Sequence, residues 1–174
     1  MAKFPSVRDM AGEFDDLLEA NRTFAASFAL AGFDGVAHAG VAVVTCMDSR
    51  IDPLGMLGLR PGDAKIFRNP GGRVTLAALE ALVLGVHLLG VERILVIPHT
   101  QCLMASSSEN ELRMRVSASS GQDASWQSFA VVVDQLDALH EDVRTVQAHP
   151  LIPATVAVGG FLYDVDTGRL EQKV

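Results

Sequence analysis

Cysteine is scarce in this 174-residue chain, which has only Cys46 and Cys102. In an oxidising compartment the pair allows one disulfide at most. In a reducing one the two are free thiols, metal ligands or catalytic groups. Positive charge is also in deficit, with 14 Lys and Arg against 21 Asp and Glu and a formal net charge of −7. Nucleic acid and anionic membranes both need a basic face, so neither is an expected partner. Long hydrophobic runs are missing too, since no segment reaches the ~20 apolar residues of a membrane span. The apolar piece FAASFALAGF lies far from the first residue and follows acidic ones, unlike a signal peptide. A cytoplasmic protein is expected. Internal repeats and composition breaks are absent as well. With 49% hydrophobic and 20% charged residues, the chain reads as one globular domain over 1–174 with a real core.

Apolar periodicity then divides the chain. Residues 1–35 form an N-terminal helical arm, in which DDLLEANRTFAASFAL spaces Leu17, Leu18, Phe24 and Phe28 at helical intervals. Four short apolar runs read as strands covered on both faces: VAVVTC (41–46), AKIFRN (64–69), RILVIPH (93–99) and ATVAVGGFLYD (154–164). TLAALEALVLGVHLLG (75–90) is a helix apolar nearly all round, buried between layers or at a subunit contact. WQSFAVVVDQLDALHEDVRTVQ (126–147) is a helix with a core stripe that includes Phe129, Val132 and Val133. The polar, serine-rich stretch 105–125 reads as a loop with a helical turn or more. Alternation of strand and helix predicts a three-layer α/β fold. Its mostly parallel sheet has about four strands flanked by helices, in the order 2-1-3-4 if the first and third strands are neighbours and the second lies outside.

That order places chemistry. Cys46 ends the first strand, His99 the third, and Cys102 follows at H-x-x-C spacing. With the first and third strands adjacent, the gap between them is a topological switch point, where open α/β sheets bind ligands. Two thiolates and one imidazole converging there suit Zn2+ and leave a fourth position open. The alternative is a pair of small buried thiols with no metal. Asp48 lies two residues past the strand end, within reach of such a metal. Arg50 is spaced to hold its carboxylate in a bidentate pair.

The elements CMDSR, FRNPGG and HTQC, in that order, resemble those of the β-class carbonic anhydrases. GFLYDVDTGRLE is similar to the last core strand and hairpin of that family, so the likeness spans roughly residues 41–171. LLEANRTFAASF is similar to the N-terminal helix that members lay on a partner subunit. The resemblance implies zinc held by Cys46, His99 and Cys102, with a catalytic dyad of Asp48 and Arg50. It also implies that Asp48 can close the site as a fourth ligand. Asn69, Gly71 and Gly72 match the glycine-containing loop at the substrate pocket, where plain turn formation is the other reading of the two glycines.

The implied activity is reversible hydration of carbon dioxide to bicarbonate in a homodimer or dimer of dimers. Two departures leave alternatives. Pro70 replaces an alanine and removes a backbone donor. Leu103 replaces the glycine after the second cysteine, facing either the pocket or the core. A hydrolase of carbonyl sulfide or carbon disulfide, or a zinc protein without turnover, are the other functions this leaves open.

Overall fold

The computed structural model describes residues 12–174, in two units that divide between Asp34 and Gly35. The expected helical arm extends into residues 1–11, which lie outside the described residues.

In the larger unit, β1 (Val41–Cys46) is buried at all six positions. Strands covered on both faces lose the polar alternation of half-exposed ones, which is why VAVVTC reads as continuously apolar. β2 (Ala64–Asn69) and β3 (Arg93–Ile97) flank β1, both parallel to it, so that Val43 faces Ile66 on one side and Leu95 on the other. β4 (Ala157–Tyr163) is parallel to β3, and β5 (Leu170–Gln172) is antiparallel to β4. The order is β2-β1-β3-β4-β5, which is the expected arrangement with the hairpin strand added. Neighbours on opposite sides of β1 make its C-terminal end the switch point.

Successive β1 residues feed different layers. Val41 and Val43 join a cluster with Ile97, Met104 and Leu112. Ala42 and Val44 join another with Ala78, Leu82 and Val146. Val43 and Val44 are fully buried, each contributing about 1.5–3 kcal/mol of hydrophobic stabilisation.

Helix α2 (Leu76–Leu88) starts where the Thr75 hydroxyl accepts the Ala78 N–H. Only Ala78, Leu82 and Gly85 of it are buried, while Leu76 is 87% exposed and Leu88 is 68% exposed. Burial between layers within the chain therefore does not account for its apolar character.

One expectation is made definite and another corrected. The serine-rich stretch holds α3 (Leu103–Ser106) and a full helix, α4 (Glu109–Ser120). A capping box between Ser108 and Glu111 starts α4, and Gly121 ends it in the left-handed region. The long helix is shorter than predicted: α5 (Gln135–Gln147) begins where the Asp134 carboxylate accepts the N–H groups of Leu136 and Asp137. The three valines before it are extended or turning. The Val132 N–H bonds to the Met104 carbonyl and its side chain is buried, whereas Val133 is 99% exposed.

In the smaller unit, α1 (Asp15–Ala25) has acids in its first turn and Arg22 in its last, both favourable to the helix dipole. It ends at Ala25, short of the end of the expected 1–35 arm, with the Ser27 hydroxyl bonded to the Phe24 carbonyl. Phe14, Leu17, Leu18 and Phe24 are exposed, and Phe24 packs against Phe28 with ring centroids 5.6 Å apart.

Candidate metal centre

The two central strands deliver the donors. β1 ends on Cys46, and β3 runs out through Pro98 to His99, which still bridges to Tyr163 of β4. Cys102 is the residue before α3, so a turn brings its thiol back over the sheet end. The donor atoms of Cys46, His99 and Cys102 lie within 4.8 Å of one another, and all three residues are buried.

Each donor is prepared for a cation. The His99 Nδ1 lies 2.8 Å from the Thr100 carbonyl, which can only accept. Nδ1 therefore carries the proton and Nε2 presents a lone pair. That Nε2 is buried and, among the described residues, has no hydrogen-bond partner. Such an orphan is costly unless a ligand takes it. The two sulfurs are 3.9 Å apart. The bond from Cys102, which outweighs the cost of burial, pulls the Cys46 thiol from 9.0 down to about 4. The same pairing, with burial, pushes Cys102 up. One proton thus serves two sulfurs, and a divalent cation would satisfy both together with the imidazole. Two thiolates and one imidazole, with room for a fourth ligand, fit zinc.

Beside the donors, Asp48 and Arg50 form a two-pronged pair. Arg50 Nε donates to Asp48 Oδ1 at 2.9 Å and Nη2 to Oδ2 at 2.8 Å. The Arg50 backbone N–H also donates to Oδ1 at 2.9 Å. These bonds, the side-chain ones first, hold the Asp48 carboxyl well below the usual carboxylate range. Its Oδ2 lies 3.8 Å from His99 Nε2, at the edge of the donor set.

A cavity of about 410 Å³ opens onto this group, lined by Cys46, Asp48, Arg50, His99, Cys102 and Leu103 among others. Leu103 is 49% exposed and faces the cavity, so of its two predicted orientations the pocket-facing one is found. A second, mainly apolar cavity of about 410 Å³ adjoins it and shares Met47, Pro70, Leu103 and Met104. Asn69 lines this second cavity and not the first, while Gly71 and Gly72 line neither. The Asn69 side chain also clamps Arg73, accepting its N–H at 2.8 Å and donating to its carbonyl at 2.7 Å. Both glycines are buried beneath the site.

Two supports were not singled out from the sequence. Arg68 donates to the carbonyls of Cys46, Asp48 and Ile51, pinning the loop that carries the dyad. It stands within the quoted FRNPGG element, and a basic residue near the end of an apolar strand is the available signal. Arg73 pairs with Asp142 of α5, with Nε to Oδ2 at 2.6 Å and Nη2 to Oδ1 at 3.1 Å. Nothing in local sequence joins residues so far apart.

Comparison with known proteins agrees with this geometry. Residues 41–119 match the family model described as carbonic anhydrase. The chain is 30% identical to beta-carbonic anhydrase 1 of Mycobacterium tuberculosis over 132 residues, 76% of this chain and 80% of that protein. It is 31% identical to a carbon disulfide hydrolase of Acidithiobacillus thiooxidans over 150 residues, 74% of each chain. The crystal structure of carbonic anhydrase from Streptococcus mutans superposes with a TM-score of 0.82 at 35% identity, covering 92% of this chain and 97% of that one. With its sheet order, its Cys-His-Cys cluster and these relatives, the chain belongs to the β-class carbonic anhydrase family.

Proposed function

We propose that the chain is a zinc enzyme that catalyses reversible hydration of carbon dioxide to bicarbonate. Cys46, His99 and Cys102 are the ligands in this reading, and Asp48 and Arg50 are the dyad. The observation that carries it is the buried, unpartnered His99 Nε2 facing two close sulfurs beside a carboxylate already ionised by Arg50. Zinc in that set supplies a Lewis acid that lowers the pKa of bound water from 15.7 to about 7. Asp48 accepts a hydrogen bond from the attacking group and orients it. It can also take the fourth ligand position and close the site. Arg50 keeps that carboxylate charged and aimed. Met47, Pro70, Leu103 and Met104 give the cavity an apolar side that admits an uncharged linear molecule.

Elemental analysis with stopped-flow hydration by a pH indicator tests the reading. One zinc per chain and rapid hydration are expected, and hydration by a metal-free protein would overturn it.

A second reading, hydrolysis of carbon disulfide or carbonyl sulfide, is favoured by Leu103 in the cavity wall. Carbon disulfide hydrolases also stand among the relatives. Hydrogen sulfide release without carbon dioxide hydration would select it.

The same proposal includes a homodimer or dimer of dimers, supported by exposed Leu76, Leu84 and Leu88 on α2 and by the apolar residues of α1. Light scattering that finds only monomer at micromolar concentration would exclude it. A cytoplasmic location is also proposed. Among the described residues no helix is long and apolar enough to cross a membrane.

A further inference from the structure

Arg50 faces two partners. Beyond the bonds to Asp48, its Nη1 donates to the Gln101 side-chain oxygen at 3.2 Å, and Nη2 points to the Gln101 carbonyl at 3.4 Å. The other end of the same amide donates to Asp166 Oδ2 at 2.6 Å. Asp166 is fixed in turn, because its N–H donates to Asp164 Oδ1 at 2.8 Å in the turn between β4 and β5. An unbroken chain of hydrogen bonds therefore runs from the last hairpin through Gln101 and Arg50 to Asp48.

Gln101 lies between two donors of the cluster, in an unusual conformation. Among the described residues it is the one non-glycine with positive φ, at 57°. Glycine adopts that region readily, and other residues persist there when surrounding contacts hold them. The side-chain chemistry is also specific. Arg50 needs an acceptor and Asp166 needs a donor. An amide is both at once, whereas a carboxylate only accepts and an ammonium only donates.

We infer that Gln101 is a positioning residue which, with Asp166, latches the Arg50 guanidinium and so keeps Asp48 off the metal position. The inference rests on reading Cys46, His99 and Cys102 as a metal site. The Arg50 side chain is 42% exposed, and solvent-accessible ion pairs are held weakly unless something fixes their geometry. Asp48 Oδ2 is only 3.8 Å from His99 Nε2, so a small swing brings it into competition for the fourth ligand position. The latch opposes that swing from outside the pocket.

Cobalt(II)-substituted full-length protein, titrated with azide and followed by visible absorption, tests this. Azide reports whether the fourth position is free. Gln101→Gly removes the side chain while relieving the backbone, so folding is retained. The azide dissociation constant should rise about five- to tenfold, the scale of losing one or two hydrogen bonds that oppose Asp48. Asp166→Ala, remote from the metal, should do the same, whereas Asp166→Asn keeps an acceptor and should match wild type. In an Asp48→Asn background, Gln101→Gly should change nothing further, since the competing carboxylate is gone. Unchanged azide affinity in both latch variants, or an equal loss without Asp48, would overturn the latch. Wild-type protein that takes up no cobalt would instead overturn the metal reading beneath it.

Discussion

Gly72 rests directly against the backbone of Cys46. A Cβ built on it would lie 2.9 Å from the Cys46 nitrogen and 3.0 Å from the Thr45 carbonyl carbon, and its φ is +67°. Both obstacles are backbone at the end of the central strand, and neither can rotate away. Gly72→Ala therefore combines left-handed strain with a clash at Cys46, a proposed zinc ligand. A cost of about 2 kcal/mol or more is expected, which lowers the melting temperature by about 4–8 °C in a protein of this size. Bound zinc per chain should fall with it. Thermal unfolding with elemental analysis checks this, and a variant with unchanged melting and metal content would show that the loop yields easily.

Arg73 ties that loop to α5. Asp142 is buried, and its carboxylate meets Arg73 twice. Asp142→Ala leaves a mostly buried guanidinium with only the longer contact to the exposed Glu141, at 3.5 Å. Breaking a buried pair from one side typically costs about 3–5 kcal/mol. Because the Arg73 side chain keeps 25% exposure, the lower end of that range is expected. Calorimetry should show a fall of about 6–12 °C. A fall of a degree or less would mean that Glu141 and water together satisfy Arg73.

Asp48 governs a pH prediction through its sign. Its carboxyl is depressed below the ordinary 3.8, by the Arg50 side chain first and the Arg50 backbone N–H next. A depressed acid stabilises the fold fully above the unfolded value and loses that contribution as pH falls through the lower folded value. From about pH 6 to about pH 9 it is ionised in both states, so neither its charge nor its share of stability varies there. Activity should still rise from neutral to alkaline pH, because hydroxide competes better for the fourth ligand position as pH increases. Asp48→Asn should lose about 100-fold in rate at every pH in that window while keeping its zinc. If the loss instead appears only at one end of the range, Asp48 is titrating there and its pairing with Arg50 is weaker than the geometry implies.

What was legible in the sequence follows the range of the forces involved. VAVVTC and RILVI announce covered parallel strands, because burial on both faces is written into consecutive residues. The convergence of Cys46, His99 and Cys102 is legible on condition that the first and third strands are neighbours, and the ligand set rests on the family resemblance of CMDSR and HTQC; β1 and β3 are indeed adjacent. The start of α5 was misplaced because Phe129, Val132 and Val133 continue the helical spacing, while the Asp134 cap that overrides it is one residue's hydrogen bonding. The stretch 105–125 reads as no more than a loop with a helical turn or more, because serines mask the capping box of α4 and its hydrophobic face is little more than Leu112. The Arg73–Asp142 pair and the bond from Gln101 to Asp166 join residues 69 and 65 positions apart, and no local pattern reports them.

In the proposed function, Leu103 is the residue placed to bear on substrate choice. It is the first residue of α3, immediately after Cys102, and its side chain is half exposed between two cavities. A first helical position tolerates glycine better than a helix interior, so Leu103→Gly should fold and bind metal normally. The substitution removes an apolar wall beside the donor cluster and joins the two cavities more openly. Carbon disulfide and carbonyl sulfide lose a favourable apolar surface. Bicarbonate, which needs water and hydrogen bonds around it, gains room for both. The ratio of bicarbonate dehydration to hydrolysis of the sulfur compounds should rise by about tenfold, the scale of one or two methylene contacts in a pocket. Both rates are measured on both proteins at matched zinc content. A proportional change in the two rates would remove Leu103 as a determinant of specificity and leave carbon dioxide hydration as the better reading of the site.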